Sequence, residues 1–385
     1  MRIVVDARGI RAGMTGVGHY TARLVSELGA ARPDDAFVFL GLRGEEAALR
    51  SRVPSRAPNV DWREIDVDPE SHPRGDWWMH RVLPGLLDEL GANVFHGPAY
   101  VVPFGRRRPR AACVVTIHDL TAFTHPRAYP LKFRVYLRHA ISRSIAVAEY
   151  VVFDSDFVRR EALERFSSLG EDKTAVIALA PAPCFRPAAG DEDLPALRRR
   201  HGLPESYILM VGTLETRKNP EFFLRLSEEL ERRLGSRAPS VVWAGSLGTA
   251  GRSALQIFGG LERAGRFRFL DLRASDVLPV AYQCAEVLAY PSLSEGFGLP
   301  VIEAMACGLP VVAADASCLP EVVGDGGQVL PLDRVGLWGE TIEGLLLDPA
   351  RRTEARQRAL AWVARFSWKR TAQETARVYE RAARG

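Results

Sequence analysis

Short apolar runs alternate with amphipathic stretches along the whole chain. In the first half the runs at residues 1–6, Phe37 to Leu42, Val60 to Val67, Val94–Phe95, Val114 to Ile117, Val151 to Phe153 and Thr174 to Leu179 predict strands. In the second half Tyr207 to Val211, Val241 to Ala244, Phe267 to Leu270, Glu286 to Tyr290 and Pro310 to Ala313 do the same. Helical periodicity fills the intervals, as in the stretch that begins at Tyr20. This alternation predicts an α/β fold rather than α+β. The 385 residues exceed one compact core and suit two doubly wound domains. Prolines and acids from Pro181 to Asp193 interrupt the periodicity, so the expected organisation is a first domain over 1–186, a linker over 187–204 and a second domain over 205–366. A last helix is expected over 367–385, with Ala372, Ala376 and Tyr379 on one face and Glu374, Arg377, Glu380 and Arg381 on the other.

The chemistry concentrates in the second half. Ser294 to Gly308 places Glu295 and Glu303 around a Gly296-Phe297-Gly298 turn, with Pro300 suited to a helix start and Gly308 to its end. Unpaired N–H groups at a helix N-terminus, beside glycines that admit a close ligand, suit a phosphate or sugar oxygens. Two carboxylates flanking that site make sense as acceptors for hydroxyl groups of the same ligand, which points to a nucleotide sugar rather than a metal. A second segment runs from the strand Tyr207–Val211 through the glycine turn at Gly212 to Arg217 and Lys218, then to Asn219 as helix cap and Pro220 as first helical residue. The two cations suit a leaving diphosphate, arginine through paired hydrogen bonds and lysine as a point charge, without a divalent ion.

The Glu295–Glu303 segment resembles the Glu-x7-Glu signature of the retaining family 4 glycosyltransferases, and Arg217–Lys218 resembles that family's cation pair. The resemblance implies the GT-B architecture, two Rossmann-like domains facing a central cleft, the first on the acceptor side and the second binding the nucleotide sugar. It implies that the last helix crosses back to the first domain. Glu295 would contact the sugar hydroxyls and Glu303 the ribose, while Gly296, Phe297, Gly298 and Leu299 would supply backbone donors. His118, after the strand Val114–Ile117, resembles the family's active-site histidine and would steady positive charge developing on the sugar. Gly16 belongs to a first loop that would approach the donor phosphate; its glycine order is not the dinucleotide fingerprint, which argues against a dehydrogenase. Leu270 to Arg273 departs from the turn many relatives carry near the base, so the backbone at Leu272 is the expected base contact and base identity stays open. The expected reaction is retaining transfer of a hexosyl or related group from a nucleoside-diphosphate sugar to an acceptor hydroxyl, in cell-surface glycan or secondary-metabolite synthesis. A GT-B epimerase or a non-catalytic nucleotide-sugar-binding protein are the alternatives.

Charge and composition refine this only slightly. The net charge is +4 and the pI about 8.9, which favours anionic partners without demanding nucleic acid, and none is expected. The basic run Arg106 to Arg110 and the residues Lys132, Arg134, Arg138 and Arg143 are candidate contacts to phospholipid headgroups or a phosphorylated acceptor. The five cysteines lack Cys-x-x-Cys spacing, Asp154-Ser155-Asp156 reads as a strand end and helix cap, and Asp191-Glu192-Asp193 reads as linker, so no resident metal or cofactor is expected. Without an apolar run of membrane-spanning length or a signal sequence, the expected location is the cytoplasm; the basic segments read first as a solvated face, with peripheral contact at the inner face of the membrane as the alternative.

Overall fold

The computed structural model describes residues 1–384 apart from 13, 15, 46–52, 54–56, 69–73, 127–128, 191, 249–254 and 273–276. The chain divides into two compact units, Met1–Ala180 with Phe366–Gly385, and Pro181–Arg365. The first contains a seven-stranded sheet in the order β3-β2-β1-β4-β5-β6-β7, every neighbouring pair parallel. Its strands are β1 (Arg2–Asp6), β2 (Ala36–Leu42), β3 (Val60–Ile65), β4 (Val94–Gly97), β5 (Ala112–Ile117), β6 (Tyr150–Phe153) and β7 (Thr174–Val176). The second contains a six-stranded parallel sheet in the order β10-β9-β8-β11-β12-β13. Its strands are β8 (Tyr207–Val211), β9 (Ser240–Gly245), β10 (Phe267–Asp271), β11 (Val287–Tyr290), β12 (Val311–Ala314) and β13 (Gln328–Leu330).

Both sheets are doubly wound. The central strands β8, β11 and β12 are buried along their whole length, which is why they read as continuous apolar runs rather than alternating ones. Each large aliphatic side chain there, Leu209 or Leu288, contributes about 1.5–3 kcal/mol by leaving water. In the first unit the chain winds outward through β2 and β3 and restarts at β4, so the order reverses between β1 and β4; in the second it reverses between β8 and β11. Ligands of open parallel sheets bind beyond the strand carboxyl ends at such a reversal.

Two expectations change. Residues 187–204 are more than a linker: they group with the second unit and include the helix Leu194–Arg200. Asp193 caps that helix by accepting from the Ala196 N–H at 2.9 Å, and Glu192 pairs with Arg186 at 2.7 Å; the arginine-rich last turn had hidden its short apolar stripe. Asp191 lies outside the described residues. The strand β13 was not expected, because three residues beside Gly324, Gly326 and Gly327 leave too short a pattern to read. The amphipathic helix at the C-terminus spans Trp368–Ala382 and packs in the first unit against the helix Gly16–Ala31.

Candidate functional site

In the second unit the two strands flanking the reversal supply the cations and the first carboxylate. Beyond β8, Gly212 turns at φ 140°, and a Cβ there would lie 2.8 Å from the Lys218 Cε, so the glycine leaves room for the lysine side chain. Arg217 and Lys218 close a short 3-10 turn, after which Asn219 caps the helix Pro220–Leu234. Beyond β11, the chain passes Ser292 to Glu295, and the Leu293 N–H donates to the Arg217 carbonyl at 2.9 Å, stitching the two loops together.

The side chains then meet. Glu295 Oε1 accepts from Lys218 Nζ at 2.5 Å, Ser292 Oγ at 2.5 Å and Tyr290 OH at 3.0 Å, and Oε2 accepts from Arg217 Nη1 at 3.0 Å. Arg217 also pairs with Glu215 at 2.8 Å, so two cations face two carboxylates. Lys218 is only 5% exposed and Glu295 9%. Burial alone pushes the Glu295 carboxyl up, but the charges of Lys218 and Arg217 and the hydrogen bonds from Lys218 and Ser292 outweigh it and hold the group at about 2. Burial lowers Lys218, with Glu295 opposing the change. The carboxylate expected to wait for sugar hydroxyls is thus already the counter-ion of both cations, and removing it would strand a buried lysine at a cost of about 3–5 kcal/mol.

Glu303 has a different environment. It lies on the helix Leu299–Ala306, which starts one residue before Pro300 and has Gly298, at φ 89°, as its cap residue. Tyr282 OH donates to Oε2 at 3.0 Å, and among the described residues no hydrogen bond reaches Oε1. Burial drives this carboxyl up to about 7, only partly offset by Tyr282. Phe297 is buried, while Gly296 and Leu299 are half-buried beside the same turn. Leu272, the residue after β10, is half-buried, and Arg273 lies outside the described residues. Among the described residues no group of three or more His, Cys, Asp or Glu is arranged to hold a metal ion.

His118 and Gly16 belong to the first unit. Gly16 is exposed at the first position of its helix, with open space where a Cβ would project; Gly13 and Thr15 of the same loop lie outside the described residues. His118 is buried beyond β5, with Nδ1 at 2.7 Å from Asp154 Oδ2 and Nε2 at 2.8 Å from the Pro98 carbonyl oxygen. A carbonyl only accepts, so Nε2 carries hydrogen, and a second proton lies between Nδ1 and the carboxylate. Burial lowers the His118 pKa, but Asp154 and Pro98 together raise it overall; burial also raises Asp154. Both ring nitrogens of His118 are therefore engaged within the first unit. Tyr20 and Tyr100 stand edge-on to the imidazole at 4.8 and 5.4 Å, and Asp154 Oδ1 is buried without a hydrogen-bond partner among the described residues.

Sequence reading missed Asp154, Tyr282, Tyr290, Ser292 and Ser317. Asp154 read only as the end of a strand with Ser155 or Asp156 as the helix cap, and Ser155 does cap the helix Asp156–Arg165. Backbone strain was the signal that no pattern reveals. Three described non-glycine residues have positive φ, and all touch these sites: Tyr100 packs on His118, Asn219 follows Lys218, and the Ser317 Oγ accepts from the Glu295 N–H at 2.9 Å.

Two doubly wound parallel sheets, one bearing paired cations and carboxylates at its switch point, define the class, a GT-B glycosyltransferase. A family model described as "Glycosyltransferase Family 4" matches residues 14–179, and one described as "Glycosyl transferases group 1" matches 205–348. The chain is 30% identical over 392 residues to O-antigen chain mannosyltransferase B of Escherichia coli, covering 99% of this chain and 100% of that protein. It is 32% identical to D-inositol 3-phosphate glycosyltransferase of Salinispora arenicola over 62% of this chain and 56% of that one. In fold it resembles the crystal structure of Anabaena HepE in complex with UDP and glucose, at a TM-score of 0.72 and 17% identity, covering 99% and 100% of the two chains. The chain belongs to the family 4 glycosyltransferases.

Proposed function

We propose that this protein transfers a hexosyl group, with mannosyl the first to try, from a nucleoside-diphosphate sugar to a glycan or small-molecule hydroxyl, retaining the anomeric configuration and using no resident metal or cofactor. The observation that carries the reading is the Lys218–Glu295–Arg217 cluster beyond β8 and β11, where a buried lysine and a half-buried arginine are aimed at one carboxylate. An incoming diphosphate offers Arg217 and Lys218 a second anion, and each donor it draws away releases an oxygen of Glu295 for a sugar hydroxyl. Glu303, with Oε1 unbonded, accepts from the ribose. Backbone groups of Gly296 to Leu299 face the sugar and phosphates, Gly16 the phosphates, and the Leu272 backbone the base.

In the reaction the bond from the anomeric carbon to the diphosphate oxygen breaks and the acceptor oxygen bonds to the same face of that carbon. The acceptor proton passes to the departing diphosphate oxygen, whose charge Arg217 and Lys218 neutralise. His118, its two ring nitrogens held by Asp154 and Pro98, stands near the donor sugar in this reading, and the His118–Asp154 pair steadies the positive charge that develops there. Full-length similarity to an O-antigen chain mannosyltransferase supports a part in cell-surface glycan synthesis. The test offers UDP-, GDP- and dTDP-sugars with and without a mannose-terminated oligosaccharide, following nucleotide release and the product's anomeric coupling by NMR. Acceptor-dependent release with a retained product is expected; equal donor consumption without acceptor, or an inverted product, overturns the reading.

A further inference from the structure

The helix Leu131–Val147 in the first unit is built unlike its neighbours. Its C-terminal half packs through Ala140, Ile141, Ser144 and Ile145. Its N-terminal end instead exposes Leu131 (63%), Phe133 (41%) and Val135 (60%). These residues stand on both sides of the helix, because positions two apart diverge by about 200°. Trp77, 61% exposed, joins them: Tyr136 OH donates to Asp76 at 2.6 Å, and the rings of Tyr129, Phe133 and Tyr136 follow one another at 5.8 and 6.4 Å. Four of the eight large apolar side chains exposed among the described residues therefore lie in one small region.

The helix itself carries charge of one sign. The seventeen residues of the helix include Lys132, Arg134, Arg138, His139 and Arg143 and no acid. His139 packs edge-on to Phe104 at 5.7 Å, and Phe104 stands two residues before the exposed run Arg106, Arg107 and Arg108. Asp76 and Asp88, the acids bonded to this surface, are taken by Tyr136 and by Arg107 at 3.1 Å.

We infer that this face docks on an anionic phospholipid surface, with Trp77, Leu131, Phe133 and Val135 entering the headgroup region and the exposed Lys132 and Arg143 facing lipid phosphates, while Arg134 and Arg138 donate to carbonyls of this chain. A helix end whose exposed apolar side chains lie on two sides, with Lys132 and Arg134 between them, suits a medium that takes up both apolar and cationic groups, which an anionic bilayer interface provides and a flat protein surface does not. A second copy would bring like charges together. The inference stands on this surface alone and does not depend on the transfer reaction.

Flotation of the full chain with vesicles of phosphatidylglycerol and phosphatidylethanolamine, against vesicles of phosphatidylcholine, tests it. Wild type is expected to float with the anionic vesicles and to be released by raised salt. Leu131→Ser, Phe133→Ser and Val135→Ser together should lower binding at least about tenfold, and Lys132→Gln alone about fivefold, with unchanged thermal unfolding because these side chains are exposed. Equal flotation with both vesicles, or an undiminished triple variant, overturns the inference. So does light scattering that shows a wild-type dimer which the triple variant dissolves, since the face would then belong to a second copy.

Discussion

Glu295 and Glu303 stand eight residues apart, yet their surroundings drive them to opposite ends of the carboxylate range, about 2 and about 7. The depressed Glu295 contributes stability that is present above its ordinary 4.5 and is lost as pH falls from there toward 2. The raised Glu303 does the reverse: between 4.5 and about 7 the folded chain keeps a proton that the unfolded chain has released, so stability falls as pH rises through that window. The ionised form is the stronger acceptor for ribose hydroxyls, so nucleotide affinity should climb as pH passes through about 7. Glu303→Gln should weaken binding, flatten that climb and remove the decline in melting temperature; an unchanged pH profile would show that Glu303 does not meet the ligand.

At the scale of elements, the cation loop is held by an approach that admits no side chain. A Cβ on Gly245, the last residue of β9, would lie 2.0 Å from the Gly212 carbonyl oxygen, to which the Trp243 indole also donates at 2.9 Å. Gly245→Ala must therefore push the Gly212 turn, and Lys218 with it, out of place. A loss of about 1–3 kcal/mol in chemical denaturation is expected, together with weaker nucleotide binding; wild-type values for both would show that the loop position does not matter. Legibility also varied by element. Central strands such as β8 and β11 stood out because burial on both faces makes them apolar throughout, and Asn219–Pro220 and Ser155 gave their helix starts away by capping chemistry. The helix Leu194–Arg200 and strand β13 stayed hidden because each is short and relies on tertiary packing rather than on its own pattern.

For the whole molecule, the alternation of strands and helices pointed to two doubly wound sheets, and the Glu-x7-Glu segment to the family. What the sequence could not reveal is partnership. Lys218 and Glu295 are 77 residues apart and His118 and Asp154 are 36 apart, so neither pair forms a motif, and only the parallel order of the strands brings their carboxyl ends side by side. The central claim is that Arg217 and Lys218 exchange Glu295 for a diphosphate. Calorimetry tests it most directly, titrating wild type and Arg217→Ala with a nucleoside diphosphate and with its monophosphate. Arg217 is the residue to change, because Lys218 then keeps its carboxylate. A loss of about 10- to 150-fold for the diphosphate is predicted, the worth of a charged hydrogen bond, with the monophosphate much less affected. Equal weakening of both nucleotides, or no weakening of either, would contradict the account.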